Sequence, residues 1–541
     1  MSPLSQAMSQ SVDVLLEESP IQEFYRDQRI LITGGTGFLG KVLVEKLLRS
    51  CPQVGQILLL IRSKKDADCQ ERLDAMMEDA ILKGVSPKNK LKVVAVSGDC
   101  TLPGLGLSEI DRQTLISNVT VVFHVAATVR FDEELSSAIS INVRGTKAIL
   151  DLAREMPNLK SMVHVSTAYS QCHLQQIEEK FYPSAYNPEK LMRLAECVDK
   201  PYLDQLTPLL LKESPNTYVY TKAVAEEVVR TNSKGLPVSI FRPSIVVATK
   251  NEPFPGWIDN LYGPTGVVVA TVTGIMRTLH ADPDKVADMV PADMVVNGLI
   301  ATAWKTHLRS NTIESAEEAP QIFNFVSSPE NPIKWSDVFT LGMRFLLEDP
   351  KSILLCRYRL PTVHAVWHPN LTLNRNYFMH RVQHFLYHVV PAVLVDTAAS
   401  LVGKRTNLLK ITRKVDRFGE LISYFAMRQW TFSNSNVQDM WGALSAKDQE
   451  TFPFSFQGHD WTEYFKIYMR GTRLYLLKDD LSTMSRAETR TNRFFWLHQT
   501  LKAVLLYLFA KLMWNAAGAR LVKFIYSLIV RAPGLPGLPL R

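Results

Sequence analysis

Short apolar runs alternate with helical patterns between Arg29 and about Asn297. The runs are rich in β-branched residues and are continuously apolar, which is typical of strands buried on both faces of a parallel sheet. The predicted strands are Ile30–Thr33, Ile57–Ile61, Leu91–Ser97, Val119–Val125, Met162–Ser166 and Val238–Phe241. Because helical segments separate them, the sequence predicts an α/β fold with a doubly wound, Rossmann-type parallel sheet.

The pattern changes after about residue 350 to long helical stretches with aromatic residues and histidines, such as Tyr377–Val390 and Leu409–Phe432. We therefore predict four regions: a polar lead-in over 1–28, a sheet domain over 29–350, a mainly helical domain over 351–480, and a tail over 481–541. Within them, 311–320 reads as an exposed loop and 532–540 as a disordered segment.

The excess of positive charge lies in the tail. The chain has 61 basic and 53 acidic residues. Nine basic residues follow Met484, but only one acidic residue does, so the rest of the chain has 52 of each. Nucleic-acid binding more often spreads basic residues over a folded domain, whereas a basic and apolar terminus favours a membrane surface. We expect no nucleic-acid partner and a membrane-associated tail.

The topology of the tail stays open at this point. Phe494–Val530 is apolar but is interrupted by Lys502, Lys511, Arg520 and Lys523. A transmembrane helix over Ala503–Ala519 would place Lys511 near its middle, at a cost of about 2.5–3.5 kcal/mol. Two shorter segments in a hairpin that dips into the membrane would keep the charges near the headgroups, and a soluble core helix is the third possibility.

The first strand runs directly into a glycine-rich turn followed by a helix. This arrangement brings backbone N–H groups and the positive end of the helix against an anion, which suits the pyrophosphate of a dinucleotide. The residues expected to contact the cofactor here are Gly34, Thr36, Gly37, Phe38, Leu39 and Gly40.

The second predicted strand is followed by Arg62, Ser63, Lys64 and Lys65. Folds that bind NAD usually place an acid at this point against the ribose 2′-hydroxyl, whereas a guanidinium can pair with a 2′-phosphate. The sequence therefore predicts NADPH as cofactor, with a solvated basic loop as the alternative. Asp99 is expected to accept from the adenine amino group, and Ala126 and Ala127 leave room for the cofactor backbone.

The reacting groups follow at the ends of later elements. Ser166 and Thr167 close a strand, and Tyr218 and Lys222 lie four residues apart on one face of a predicted helix. A lysine near a phenol lowers its pKa and makes it a usable proton donor, while the hydroxyl of Thr167 or Ser166 holds the substrate oxygen. Tyr220 competes in the same turn but does not share a face with Lys222.

These motifs resemble the extended short-chain dehydrogenase/reductases, through Thr33–Gly40, His164–Tyr169, Tyr218 with Lys222, and Arg242–Ser244. More narrowly, Lys41–Pro52, Phe123–Phe131 and Glu252–Asn260 resemble the alcohol-forming fatty acyl-CoA reductases over about residues 21–480. One departure is Gly35, where many relatives carry alanine.

The resemblance implies that NADPH reduces a long-chain fatty acyl-CoA to an aldehyde, with loss of CoA, and then to a primary alcohol. It implies Tyr218 as proton donor, Lys222 as its activator and ribose anchor, and Thr167 as oxyanion partner. Asn142 matches the asparagine that positions the lysine and a water, and Pro243 the residue near the nicotinamide. With the basic, apolar tail, we expect an intracellular membrane, of the endoplasmic reticulum or the peroxisome, with the catalytic domain facing the cytosol.

Two other functions stay open. A dehydrogenase acting on a sterol or a nucleotide-sugar would release no CoA. A non-catalytic NADP-sensing interaction protein would have no need of Thr167, Tyr218 and Lys222.

Three histidines, His380, His384 and His388, share one face of a predicted helix. A metal site is conceivable, but a packing face is favoured because no acid accompanies them, and we expect no metal. The aromatic residues of 372–388 are expected to fill a core, with an acyl tunnel as the alternative. Six cysteines without CxxC spacing and a start without a signal-peptide pattern predict reduced thiols in an intracellular protein.

Overall fold

The computed structural model describes residues 19–64, 66–183, 187–311, 319–347 and 361–531. Its strands are β1 (Arg29–Thr33), β2 (Gln56–Ile61), β3 (Val93–Ser97), β4 (Val121–His124), β5 (Ser161–Val165), β6 (Gln176–Ile177), β7 (Val238–Pro243), β8 (Ile245–Val247), β9 (Thr278–His280), β10 (Met289–Pro291), β11 (Gln321–Phe325), β12 (Thr372–Asn374) and β13 (Thr431–Phe432).

Seven of these strands form one parallel sheet in the order β11-β7-β5-β4-β1-β2-β3. The order reverses at β1, which pairs with β2 on one side and β4 on the other, so that Thr33 lies beside both Leu60 and His124. Ligands of open α/β sheets bind outside the carboxyl ends of the strands at such a switch point. The predicted doubly wound sheet and its six strands are confirmed, while the edge strand β11 was not predicted.

The helices of the first half are α1 (Pro20–Tyr25), α2 (Phe38–Ser50), α3 (Cys69–Met77), α4 (Pro87–Lys90), α5 (Glu109–Asn118), α6 (Leu135–Ala138), α7 (Gly145–Arg154), α8 (Pro188–Cys197), α9 (Lys200–Leu211), α10 (Thr217–Asn232), α11 (Pro264–Val272) and α12 (Ala292–Ser310). Helix α2 follows the glycine turn and buries Val42, Leu43 and Leu47 against the sheet, at the spacing expected of an amphipathic helix. A π-helical segment, Ile139–Arg144, joins α6 to α7.

The later helices are α13 (Trp335–Leu347), α14 (Tyr377–His384), α15 (Val390–Leu401), α16 (Leu408–Ala426), α17 (Ser435–Gly442), α18 (Ala446–Thr451), α19 (Trp461–Gly471) and α20 (Met484–Arg531). A π-helical segment, Phe385–Val389, makes α14 and α15 one continuous helix over Tyr377–Leu401. The mainly helical character predicted for this part of the chain is observed. The predicted boundary near residue 350 lies outside the described residues, as does the segment 532–540.

The largest core joins both halves of the chain. Phe323 and Phe325 of β11 pack in the same buried cluster as Phe454 and Tyr464 from the helical half. The described end of the lead-in also belongs to this core and is not merely polar. Helix α1 buries Ile21 and Tyr25, whose hydroxyl donates to the carbonyl oxygen of Ile300 over 2.9 Å.

The tail forms one helix of 48 residues, α20. At 1.5 Å per residue it is about 72 Å long. Of the three possibilities left open for the tail, the hairpin of two shorter segments does not match this continuous helix. The start of α20 packs on the body, where the rings of Trp367 and Phe494 lie 6.0 Å apart, but its side chains from Gln499 to Asn515 are exposed. By length and composition, one helix among the described residues can cross a membrane, and it is Tyr377–Leu401.

Candidate active site

A cavity of about 810 Å³ opens at the carboxyl ends of the sheet strands, at the switch point beside β1. Every residue predicted to contact the cofactor lines it, and so do Ser166, Thr167 and Tyr218 of the predicted catalytic set. Residues far apart in sequence are thus brought to one site, because parallel strands place their carboxyl ends at the same edge of the sheet.

The glycine turn is shaped for close approach of a ligand to the backbone. Gly34 has a φ of +74°, and a Cβ there would lie 2.8 Å from the backbone nitrogen of Ala126. A Cβ on Gly40 would lie 2.3 Å from the carbonyl oxygen of Gly34. Gly37 is the N-cap of helix α2 and provides no side-chain hydrogen bond, so the first N–H groups of the helix are available to an anion. These features fit the pyrophosphate of a dinucleotide.

A pair of arginines lies at the end of the cavity next to β2. The guanidinium of Arg72 donates to the hydroxyl of Thr36 over 3.2 Å and also to the carbonyl oxygen of Arg62. Burial and the neighbouring charge of Arg62 lower the pKa of Arg72. Arg62 and Arg72 both line the cavity here, and two guanidinium groups in one wall fit a phosphate better than a hydroxyl. Sequence reasoning found Arg62 but missed Arg72, which lies one helix later on α3.

The opposite wall of the cofactor cleft is held by hydrogen bonds from β1 and β3. The hydroxyl of Thr33 accepts from the backbone N–H of Ala126 over 3.1 Å, which fixes the small residues Ala126 and Ala127 beside the glycine turn. The carboxylate of Asp99 accepts from the backbone N–H of Thr101 over 2.9 Å and lines the cleft. Its predicted contact with adenine stays a prediction.

Tyr218 and Lys222 project from the first turns of α10 into the deep part of the cavity. Tyr218 stacks on Phe131 with ring centroids 6.0 Å apart, and its phenol shares a hydrogen bond with the hydroxyl of Thr167. Tyr220 is turned away and packs in the core on the other side of the helix with Val224. The structure therefore brings together Tyr218, Lys222 and Thr167 and separates the competitor from them.

Burial controls the protonation of both groups. It lowers the pKa of Lys222 to about 8, although the carboxylate of Glu226 acts in the opposite direction. It raises the pKa of Tyr218 to about 12, against the effect of the hydrogen bond with Thr167. Burial sets the direction of this shift, and the expected lowering of the phenol pKa by Lys222 stays a prediction. Tyr218 is consequently a protonated acid at neutral pH, with a proton to give.

Ser166 belongs to a buried network behind the cavity. Its hydroxyl donates to the carboxylate of Glu226 over 2.5 Å, and the guanidinium of Arg242 donates to both oxygens of that carboxylate over 2.8 and 2.7 Å. Arg242 is fully buried and Glu226 almost so. The two candidate hydroxyls thus have different partners. Thr167 is hydrogen-bonded to Tyr218, whereas Ser166 donates a hydrogen bond to Glu226.

Asn142 lies just outside the cavity wall, in the π-helical segment between α6 and α7. Its side-chain oxygen accepts from the backbone N–H of Thr128 over 3.0 Å, and its amide donates to the hydroxyl of Thr221 over 2.9 Å. Asn142 thereby ties the loop after β4 to α10 next to Lys222. The side chain of Asn142 thus bonds Thr128 and Thr221 directly. The water expected between Asn142 and Lys222 stays a prediction.

The helical half closes the substrate side of the cavity. Phe425 and Ile422 of α16 line it, and the ring of Phe425 lies 5.5 Å from Phe131 and 5.4 Å from Tyr169. Sequence reasoning missed these residues. Phe131 is the last residue of the Phe123–Phe131 motif, which resembles the reductases. In contrast, no local sequence feature distinguishes Phe425 from an ordinary helix-packing residue.

A narrow apolar chamber adjoins the cavity behind this wall. The two share Pro264, Trp335 and Ile422. Deeper in the chamber the lining comes from α11, α13, β9 and β12 and includes Val267, Leu279, Phe339, Gly342, Met343 and Leu371. A ligand in it would meet aliphatic and aromatic groups, which suits a hydrocarbon chain.

The three helical histidines form a packing face, as favoured from the sequence. His380 shares a 3.1 Å hydrogen bond with Thr278, and His388 accepts from the backbone N–H of Arg277 over 2.9 Å. Burial lowers the pKa of His380 to about 4 and that of His388 to about 3, so both are neutral at pH 7. The neighbouring aromatics differ from the expected core, because Tyr377, Phe378, Phe385 and Tyr387 are exposed.

Comparison with known proteins agrees with this site. An NAD-binding family model described as male sterility protein matches residues 32–299, and a second model of that description, the sterile domain, matches residues 387–479. The fatty acyl-CoA reductase wat of Drosophila melanogaster is 41% identical over 92% of this chain and 93% of its own. Human fatty acyl-CoA reductase 2 is 35% identical over 95% of this chain and 96% of its own.

Among solved structures, the terminal R domain of the myxalamid PKS-NRPS biosynthetic pathway has the same fold. It aligns with a TM-score of 0.54 and 20% identity over 85% of this chain and 92% of its own. The family matches and the near-complete coverage of the reductases agree with one another and with a cofactor cleft at the switch point of the sheet. The chain is an oxidoreductase that uses a nicotinamide cofactor, and it belongs to the fatty acyl-CoA reductase family.

Proposed function

We propose that this protein reduces a long-chain fatty acyl-CoA to a primary alcohol in two successive steps with NADPH. In the first step the thioester carbon accepts a hydride, the C–S bond breaks, and CoA leaves as its thiol with one proton. In the second step the aldehyde accepts a second hydride and one proton. When bound, NADPH supplies both hydrides. The observation that carries the proposal is the juxtaposition of Tyr218, Thr167 and Lys222 with the apolar chamber.

The proton-donating group in this scheme is Tyr218. Its phenol is protonated at neutral pH and meets the hydroxyl of Thr167, so a carbonyl oxygen placed between them receives two hydrogen bonds. As charge develops on that oxygen, both bonds strengthen, which favours the transition state over the substrate. Lys222, four residues later on the same helix, is assigned as the activator of Tyr218 and as the group that would anchor the ribose hydroxyls of the bound cofactor, as the family resemblance implies.

The preference for NADPH over NADH rests on Arg62 and Arg72. Both residues line the cofactor cleft, and Arg62, the first residue after β2, replaces the acid expected for NAD. A 2′-phosphate would receive charge-assisted hydrogen bonds from both, while a 2′-hydroxyl would leave the two positive charges uncompensated.

The fatty acyl chain is assigned to the chamber behind Trp335 and Ile422. Pro264, Trp335 and Ile422 line both the chamber and the cavity that holds Tyr218, so a substrate with its carbonyl at the phenol would extend its hydrocarbon chain past these residues into apolar surroundings. The charged CoA moiety of the bound substrate would extend out of the cavity on its open side. Burial of each methylene stabilises the complex by about 0.8 kcal/mol, which favours long chains.

We assign the protein to an intracellular membrane, of the endoplasmic reticulum or the peroxisome, with the catalytic part in the cytosol. Support comes from the exposed apolar side chains of α20 and from the length and composition of Tyr377–Leu401.

The test is a substrate panel with the purified full-length protein and NADPH. It contains an acyl-CoA series, a sterol ketone and a nucleotide-sugar, with free thiol and lipid products quantified. The proposal expects thiol release and fatty alcohol with acyl-CoA alone. Turnover of the sterol or the nucleotide-sugar without thiol release would overturn it.

A further inference from the structure

The helix Tyr377–Leu401, the loop that follows it and helix α16 form a helical hairpin on the surface of the helical half. Its tip lies at Leu401 and the loop. One face of the helix is fixed to the protein. His380, His384, His388 and Ala392 are buried at intervals of four residues. The hydrogen bonds to Thr278 and Arg277 belong to this inner face. The helix therefore cannot be surrounded by lipid on all sides. Only its outer face is free to contact a partner.

The outer face is apolar and exposed. Phe378 is 74% exposed, Leu394 is 64% exposed and Leu401, at the tip, is 84% exposed. Phe385 and Leu386 continue the same surface between them. A contiguous exposed patch of this kind marks an interaction site. We call it the hairpin face, consisting of Phe378, Phe385, Leu386, Leu394 and Leu401.

A basic rim borders the tip of the hairpin. Lys404, Arg405, Lys410, Arg413, Lys414 and Arg417 are all exposed.

The nearby acids are held by other partners. Asp396 accepts from the hydroxyl of Thr406 over 2.6 Å and from the backbone of Leu408 and Leu409. Asp416 pairs with Arg381 over 3.1 Å, and Glu420 lies 3.5 Å from the same guanidinium. The rim is therefore strongly positive around an apolar tip.

The hairpin and the tail lie on the same side of the molecule. The charge of Arg277 acts on His388 of the hairpin helix and also on His368 and His498, which stack on each other at the start of α20. Lys502 also acts on His498. The exposed apolar part of α20 therefore begins near the middle of the hairpin helix.

We propose that the hairpin face and its basic rim dock on a bilayer of anionic phospholipids, as a membrane contact separate from the tail. Apolar side chains at the tip enter the acyl region while the lysines and arginines reach the phosphates. A second copy of this chain fits less well, because it would bring two sets of six cations together. Behind the hairpin, β9 carries both Thr278, which holds the helix, and Leu279, which lines the apolar chamber.

The experiment uses the full-length protein with an environment-sensitive fluorescent amino acid incorporated at one position, which leaves the native cysteines unchanged. The probe is placed at Phe385, at Leu394, at Leu506 of the tail, or at Ile110 of α5, which is 80% exposed and serves as control. Vesicles contain phosphatidylcholine with or without phosphatidylserine, and a fraction of the lipids carries a doxyl quencher on the acyl chain.

The proposal expects at least twofold quenching at 385 and 394 with phosphatidylserine vesicles, and none at 110. The double variant Lys404→Glu/Lys410→Glu should bring the signal at 394 to the level of position 110, while the matched variant Lys83→Glu/Lys88→Glu leaves it unchanged. Quenching at 506 without quenching at 385 and 394 would overturn the proposal. So would a fluorescence change at 394 that rises with protein concentration in the absence of vesicles, because that result indicates a second copy.

Discussion

The ammonium of Lys222 donates a 2.7 Å hydrogen bond to the carbonyl oxygen of Val165, the last residue of β5. This bond orients the side chain of Lys222 across the floor of the cavity. Its acceptor, Val165, directly precedes Ser166 and Thr167 in the chain. The same strand end therefore fixes both the hydroxyl that meets Tyr218 and the cation behind it. Strand β5 and helix α10 act as one support for the reacting groups.

The pH dependence of turnover should report Lys222. Its pKa lies near 8 in the folded protein, well below the ordinary value of 10.5, because burial disfavours the ammonium. The lysine is therefore charged below about pH 8 and loses its proton as the pH rises through that value. Since the pKa of Tyr218 is about 12, the phenol stays protonated over this range. We expect kcat/KM to fall above about pH 8 with a single ionisation.

The Glu226→Gln variant provides the check on that assignment. The carboxylate of Glu226 raises the pKa of Lys222, so its removal should move the alkaline limb to lower pH. Glu227→Gln, at the next position, is the matched control because its carboxylate pairs with Arg230 on the surface. A limb that stays in place in Glu226→Gln would contradict the role given to Lys222.

Replacing Tyr218 by phenylalanine should lower turnover by at least about 100-fold, because general acid catalysis contributes on this scale. The dissociation constant for NADPH should stay within about twofold, because the phenol is assigned to the substrate oxygen. Tyr220→Phe is the matched control, since that side chain packs in the core away from the cavity. Comparable rates in the two variants would sink the assignment of the proton donor.

Replacing Arg72 by leucine should reduce the preference for NADPH over NADH. A hydrogen bond to a charged group contributes about 1.5–3 kcal/mol, so KM for NADPH should rise by about 10- to 100-fold. KM for NADH, measured on the same preparation, is the internal control and should change little. Arg62→Leu should have the same effect. An unchanged ratio in both variants would show that the basic rim does not bind the 2′-phosphate.

Gly342 offers a way to shorten the apolar chamber. Its nearest neighbour in the direction of a side chain is the sulfur of Met469, at 4.0 Å, so a leucine has room to enter the chamber. Three or four methylenes of the longest substrates would be displaced, at about 0.8 kcal/mol each. We expect Gly342→Leu to lower kcat/KM for the longest acyl-CoA by on the order of 100-fold relative to a medium chain. Gly442→Leu, on the surface, is the control, and an unchanged chain-length profile would exclude this chamber.

The sheet could be predicted because its strands are continuous apolar runs bounded by turns. Ile57–Ile61 and Val238–Phe241 carry enough β-branched and aliphatic residues to be found without tertiary information. Strand β11, Gln321–Phe325, was missed because it follows a long polar segment and because Gln321 and Asn324 interrupt its short apolar run. It becomes a strand through pairing with β7, which sequence periodicity does not show.

The cofactor half of the site could likewise be predicted, since a glycine turn and strand-end residues are local signals. The substrate half could not. Arg72, Phe425 and Ile422 reach the cavity from helices whose own patterns are those of packing residues. The effect of burial on the pKa of Tyr218 could not be predicted for a related reason, because the spacing of Tyr218 and Lys222 reveals their common face but not how deeply the fold buries them.

The central claim is best tested by the stoichiometry of one reaction. Purified full-length protein is given NADPH and a limiting long-chain acyl-CoA, and oxidised cofactor, free CoA thiol, aldehyde and alcohol are quantified over time in the same sample. The proposed two-step reduction requires two NADPH oxidised per CoA released and one fatty alcohol formed, with little free aldehyde. One NADPH per CoA with aldehyde as the lasting product, or oxidation of NADPH without release of thiol, would contradict it.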